Sequence, residues 1–131
     1  NRVIDFDVER GLFEVEAGMQ WPELIEYLES VQLGNSRPWA IAQKQTGADR
    51  ISIGGTISAN AHGRGLKMKP FVSNVESLVL VNADGELLKF NRDTNYELFC
   101  LVAGGYGLFG CIYSVTLRLV PRQTLERVVV L

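Results

Sequence analysis

The segment from Ile51 to Gly65, ISIGGTISANAHGRG, constrains this chain more than any other stretch. It holds Gly54-Gly55 and Gly63-Arg64-Gly65, small residues between them, and His62, the only histidine. From Gly54 to Gly63 only Ile57, Asn60 and His62 carry bulk. Backbone with so little side-chain cover lets something large approach closely, and N–H groups left free in such a run favour an anion. The segment therefore reads as the wall of a ligand site. A short helix after Gly54-Gly55, carrying Thr56–Ala61, would turn the partial positive charge of its first amides toward that ligand.

Charge is distributed in keeping with this. The formal net charge is -2, yet residues 1–30 hold eight acidic groups against Arg2 and Arg10. Residues 37–69 hold Arg37, Lys44, Arg50, Arg64, Lys67 and Lys69 against Asp49 alone. A basic excess around the glycine segment suits an anionic ligand; a solvated basic face is the other reading. No Lys/Arg cluster is interleaved with aromatics, which argues against nucleic acid. No apolar run approaches the roughly 20 residues of a membrane helix, and the first residues do not read as a signal peptide. Two cysteines, Cys100 and Cys111, define neither a disulfide framework nor a metal site. Their apolar neighbours predict buried free thiols, with a lean to a reducing, cytoplasmic compartment.

The 131 residues are enough for one domain with a real core. Strands are expected at Arg2–Asp7 and Leu12–Ala17, joined by the turn Val8–Gly11. Trp21, Leu24, Ile25, Leu28 and Val31 fall at helical spacing, so a helix is expected over 21–32, with Pro22 in its first turn and Gly34 beyond its end. Residues 35–53 have no clear period. Val75–Asn82 and Leu87–Phe90 flank an Asp84-Gly85 turn, and a helix over about 95–103, capped by Asp93 or Thr94, turns Leu98, Leu101 and Val102 inward. Beyond it, Tyr113, Val115, Leu117 and Leu119 alternate with Ser114, Thr116 and Arg118 in a strand that Pro121 closes. Leu125–Leu131 reads as a further apolar strand. Hairpins mixed with helices, without regular alternation, give an α+β fold with a mixed or antiparallel sheet flanked by helices.

Gly105-Tyr106-Gly107-Leu108-Phe109-Gly110 matches the G-x-G-x-x-G dinucleotide pattern. That pattern works only after a strand and before a helix, whereas here a helix precedes and a strand follows. The run is better read as a helix-to-strand corner, which can still line a cofactor pocket by another geometry.

Gln45-Thr46-Gly47, Ile51–Gly55, Ala59-Asn60-Ala61-His62-Gly63, Asn82–Glu86, Glu97-Leu98-Phe99 and Gly104–Gly110 occur in a specific order. Over nearly the whole chain, this combination resembles the PCMH-type FAD domain of the vanillyl-alcohol-oxidase family. Within it the similarity is to the sugar, lactone and alditol oxidase and decaprenylphosphoryl-ribose oxidase branch. The resemblance implies that FAD lies between two α+β subdomains, of which residues 1–131 would form the second. A glycine-rich phosphate loop upstream and a substrate domain downstream would then belong to the rest of the protein. Such a piece alone would bind FAD weakly or not at all, and its uncovered strands would favour self-association.

The resemblance also implies roles for single residues. Gly47 and the backbone of Ser52, Ile53, Gly54 and Gly55 would run along the diphosphate and flavin. Ala59, Asn60 and His62 would line the neighbouring wall. Ile112 would meet the adenine end through its backbone N–H and C=O, the donor and acceptor that an adenine requires. Ser52 is either a ligand donor or a loop cap. His62 is a structural hydrogen-bonding residue, a cofactor contact or a proton-transfer group. Arg64, Lys67 and Lys69 read as surface charges, and Trp39 and Tyr106 as packing residues. No catalytic residue and no metal site is indicated. The implied activity is oxidation of a CH–OH group in a sugar, polyol or lactone, with FAD and a small hydroxylated substrate as partners. A non-catalytic flavin-fold module and the FAD subdomain of a molybdenum-hydroxylase-type system are the alternatives.

Overall fold

Period-two alternation builds a five-stranded sheet whose pairings are all antiparallel. The computed structural model describes every residue except Gln45, Thr46, Leu66, Leu125, Arg127, Val130 and Leu131. One hairpin joins β1 (Val3–Asp7) to β2 (Leu12–Glu16). A second hairpin joins β4 (Val75–Val81) to β5 (Leu87–Asn91). The later strand β6 (Cys111–Arg118) inserts between them, giving the order β1-β2-β6-β4-β5. Register places Val15, Val115, Leu78 and Phe90 in one row across the sheet, and all four are buried.

The helices cover that apolar face. Helix α1 (Trp21–Ser30) buries Trp21, Leu24 and Leu28; α2 (Ile53–Ser58) buries Ile53, Gly54, Thr56 and Ile57; and α3 (Tyr96–Val102) buries Phe99 and Val102. Trp21 meets Phe71 edge to face with centroids 4.9 Å apart, and Phe90 meets Phe99 likewise at 6.4 Å. The α+β architecture with an antiparallel sheet flanked by helices is as expected. A two-stranded ribbon of β3 (Trp39–Ala40) and β7 (Val120–Pro121) adds to it.

Several local expectations change. Helix α1 ends at Ser30, and Val31 is 46% exposed. Gln32 turns inward instead, because its amide donates to the carbonyls of Leu28 and Trp39 and accepts from the Trp39 N–H at 2.6 Å. Helix α2 starts at Ile53, so Gly54-Gly55 lies inside its first turn. Asn95, at φ 56°, caps α3, while the Asn91 carboxamide holds the amides of Asp93 and Thr94. Leu101 and Tyr113 are more than two-fifths exposed. Ser114, on the face opposite Val115 and Leu117, is also buried, and its hydroxyl donates to Glu14 at 2.7 Å. Both cysteines are exposed free thiols, not buried ones. Of the strand expected over Leu125–Leu131, Glu126, Val128 and Val129 form no strand, and Leu125, Arg127, Val130 and Leu131 lie outside the described residues.

The Trp21 indole N–H donates to Thr56 Oγ1 at 3.1 Å in the core. Trp21→Phe leaves that acceptor without its donor and opens a void, so it should lower stability by about 1–3 kcal/mol. Urea unfolding should show this as a lower midpoint with an unchanged slope.

Candidate functional site

The start of α2 is built by competition for its first amides. Ile53 N–H donates to the Met19 carbonyl and Gly54 N–H to the Ala17 carbonyl, both at 2.8 Å. Gly55 N–H donates to Ser52 Oγ at 3.1 Å, and Thr56 N–H to the Ser52 carbonyl. Ser52 is thus a helix N-cap, and the amides expected to be free for an anion are already engaged. What this turn offers a ligand is the Ser52 hydroxyl proton and bare glycine surface. Gly54 also serves packing: a Cβ there would stand 3.0 Å from Ala17 Cβ.

The other end of α2 is capped by the corner before β6. Gly104 N–H donates to the Ile57 carbonyl at 3.0 Å, and Tyr106 N–H to the Ser58 carbonyl at 3.1 Å. A helix precedes this corner and a strand follows it, which is not the phosphate-binding arrangement of a Rossmann fold. Its position nevertheless makes it the second wall of a groove.

That groove, of about 780 Å³, runs between α2 and the corner. Ser52, Gly54, Gly55 and Ser58 line one side, and Gly107–Ile112 the other. The ends of β2 and β4 contribute Ala17-Gly18 and Val81–Ala83. Of the predicted residues it brings together Ser52, Gly54, Gly55 and Ile112. Ile53 is fully buried, so its side chain belongs to the core. Gly47, Ala59, Asn60 and His62 are exposed and outside the described lining. His62 Nδ1 lies 3.0 Å from the Gly63 carbonyl, a local loop bond. Trp39 packs over Gly11, and its indole N–H donates to the Val8 carbonyl. Ser58, Asn82 and Ala83 line the groove although the sequence assigns them no site role. Ser58 becomes legible only with the helix frame set at Ile53, three residues past Gly55.

Electrostatically the groove is neutral: no charged residue is among its described lining. Arg50, Arg64, Lys67 and Lys69 are exposed elsewhere, and Lys44 pairs with Asp49. Two titratable groups are perturbed, both outside the groove. Hydrogen bonds from Arg2 hold the Glu16 carboxyl below its usual range, and a bond to Cys100 pushes the Tyr96 phenol up. No group of three or more potential metal ligands occurs among the described residues.

Such a lining suits a flat, partly apolar molecule with ring faces and scattered oxygens. Phe109, Leu108 and Ile112 supply apolar walls, the serine hydroxyls supply donors, and a Cβ at Gly107 would stand in open space. A flavin dinucleotide fits these walls, provided its phosphate charge is met from elsewhere. The fold and groove thus describe a domain whose walls suit the uncharged parts of a nucleotide cofactor. A family model described as an FAD binding domain matches residues 1–91, and the chain belongs to that family. FAD is therefore its cofactor.

Among curated relatives, the chain is 30% identical over 122 residues to L-gulonolactone oxidase of Mus musculus, covering 93% of this chain and 26% of that protein. It is also 30% identical over 125 residues to mitochondrial L-galactono-1,4-lactone dehydrogenase of Brassica oleracea, covering 95% of this chain and 20% of that protein. These similarities place it in the sugar and lactone oxidase branch expected from its motifs. The chain spans about a quarter or less of the length of these relatives.

The corner sets two glycines apart. Gly110 sits at φ +135°, where a Cβ would lie 2.5 Å from the Val81 carbonyl, whereas Gly107 at φ +81° faces open space. Gly110→Ala should cost about 2 kcal/mol or more and Gly107→Ala about 1 kcal/mol, from backbone strain alone. Equal denaturation midpoints for the two variants would contradict this account of the corner.

Proposed function

We propose that this chain is the second FAD-binding subdomain of a flavin-dependent oxidoreductase that oxidises a CH–OH group of a sugar, polyol or lactone. The observation that carries this reading is the neutral groove uniting the α2 turn with the Gly107–Ile112 corner. The names of the relatives, a gulonolactone oxidase and a galactonolactone dehydrogenase, support the substrate class. When bound, FAD would supply the redox chemistry, accepting the hydride that oxidation of a CH–OH group to a carbonyl releases, while the residues of this chain hold and orient it. Ser52, Gly54 and Gly55 form one wall, Ile112 offers its backbone to the adenine end, and the apolar corner excludes water. Gly47, Ala59, Asn60 and His62 lie outside this wall, and in this reading they border FAD where the other subdomain closes over it.

The phosphate-binding half and the substrate domain are assigned to the remainder of the longer protein. Tyr106 and Leu108, 78% and 84% exposed, would meet those parts and favour self-association of this chain on its own. Two exposed free thiols suit a reducing compartment, although the Brassica relative is named as mitochondrial. No helix among the described residues is long and apolar enough to cross a membrane.

Purified full-length protein should show flavin absorbance that bleaches anaerobically on adding a sugar lactone or polyol. Flavin that binds but is reduced by no such compound would remove the substrate class from this reading. Occupancy of the groove has its own readout, because Cys111 lines it and Cys100 does not. N-Ethylmaleimide should label Cys111 in the apoprotein and far less in the FAD-loaded protein, with Cys100 labelling unaffected by FAD. Peptide mass spectrometry showing equal labelling of Cys111 in both states would place FAD elsewhere.

A further inference from the structure

We propose that Ser58 is a direct hydrogen-bonding contact for FAD, an inference that rests on the reading of the groove given above. Four residues with polar side chains, Ser52, Ser58, Asn82 and Cys111, are among the groove's described lining. All but Ser58 are partly used or weak, Ser52 keeping only its proton and one acceptor site open. Ser52 Oγ accepts the Gly55 N–H. Asn82 is used within its turn, its Nδ2 donating to Glu86 and its Oδ1 accepting from the amides of Asp84 and Glu86. Cys111 carries only a thiol, a weak donor that lies 3.9 Å from the Ile112 carbonyl. Ser58 Oγ alone has no hydrogen-bond partner among the described residues, leaving one donor and two acceptor sites open.

Position strengthens the case. Ser52, Gly55 and Ser58 recur at three-residue spacing along α2, which turns all three toward the groove. Ser58 is the last residue of α2, and its carbonyl is pinned by the Tyr106 N–H at 3.1 Å. The preceding carbonyl, of Ile57, is pinned by Gly104. The backbone that carries the hydroxyl is therefore fixed before any ligand arrives, so only the side-chain rotation of Ser58 has to be ordered to use it. A neutral groove must hold its ligand through such uncharged donors and through contact with its walls.

The test is FAD affinity of the full-length protein, measured by flavin fluorescence titration. Ser58→Ala should weaken binding about three- to tenfold, the range of one neutral hydrogen bond. Ser58→Thr keeps the hydroxyl and should stay within about twofold, while Ser58→Leu should bind far worse because it fills the groove. Alanine is the better helix former, so the melting temperature of the Ser58→Ala apoprotein should be unchanged or higher. A lower apoprotein melting temperature together with weaker binding would assign Ser58 a structural role and overturn the proposal. Full affinity in Ser58→Ala beside strong loss in Ser58→Leu would also overturn it while leaving FAD in the groove. Full affinity in both variants would remove FAD from the groove, and the reading beneath the proposal with it.

Discussion

The close approach of α2 to the end of β2 sets the geometry on which the rest of the molecule depends. Two carbonyls, of Ala17 and Met19, take the first amides of α2, and Gly54 permits the contact because a Cβ there would press on Ala17. A second line of bonds runs through the core, from the Trp21 indole to Thr56 Oγ1 and from that hydroxyl to the Ser52 carbonyl. Thr56 is fully buried, so this line is shielded from competing water. At the far end, Gly104 and Tyr106 donate to the last carbonyls of α2. A helix of only six residues, too short to be stable by itself, is thereby held at both termini.

The same contacts change what the glycine segment means. Read along the chain, Gly54-Gly55 looks like bare backbone offered to an anion. In the fold, the donors of that backbone face the carbonyls of Ala17 and Met19 and the cap of Ser52. The glycines serve close packing first, and the groove receives their surface rather than their N–H groups.

Sheet and helices were legible because they rest on periodicity. The hairpins, the amphipathic face of α1 and the alternation of Val115 and Leu117 with Thr116 and Arg118 follow from side chains that a single sequence displays. What it hid depends on partners distant in the chain. Gln32 replaces Val31 inside only because Trp39 lies within reach, and Ser114 is buried only because Glu14 sits on the neighbouring strand. Helix α2 began earlier than expected because carbonyls more than thirty residues upstream accept its amides. The site was legible in part for the same reason. Ser52 and Gly55 take site roles from the run they belong to, whereas Ser58 and Asn82 lie in or beside equally recognisable runs and gain a place in the groove only through tertiary placement.

Charge gives the groove its character. The basic residues that bracket the glycine segment in sequence lie on exposed loops, and no charged residue is among the described groove lining. A diphosphate held by this surface alone would leave water for a neutral wall with few open donors, an unfavourable exchange. The ring and sugar parts of a dinucleotide face no such penalty, since apolar walls and isolated hydroxyls suit them. On the proposed reading the two halves of the cofactor site therefore divide their work by polarity. The phosphate charge would fall to the glycine-rich loop that the resemblance implies elsewhere in the protein, and this domain would supply shape and neutral hydrogen bonds. A domain built this way would recognise its ligand well only with the charged half in place, which would make FAD itself the element that joins the two.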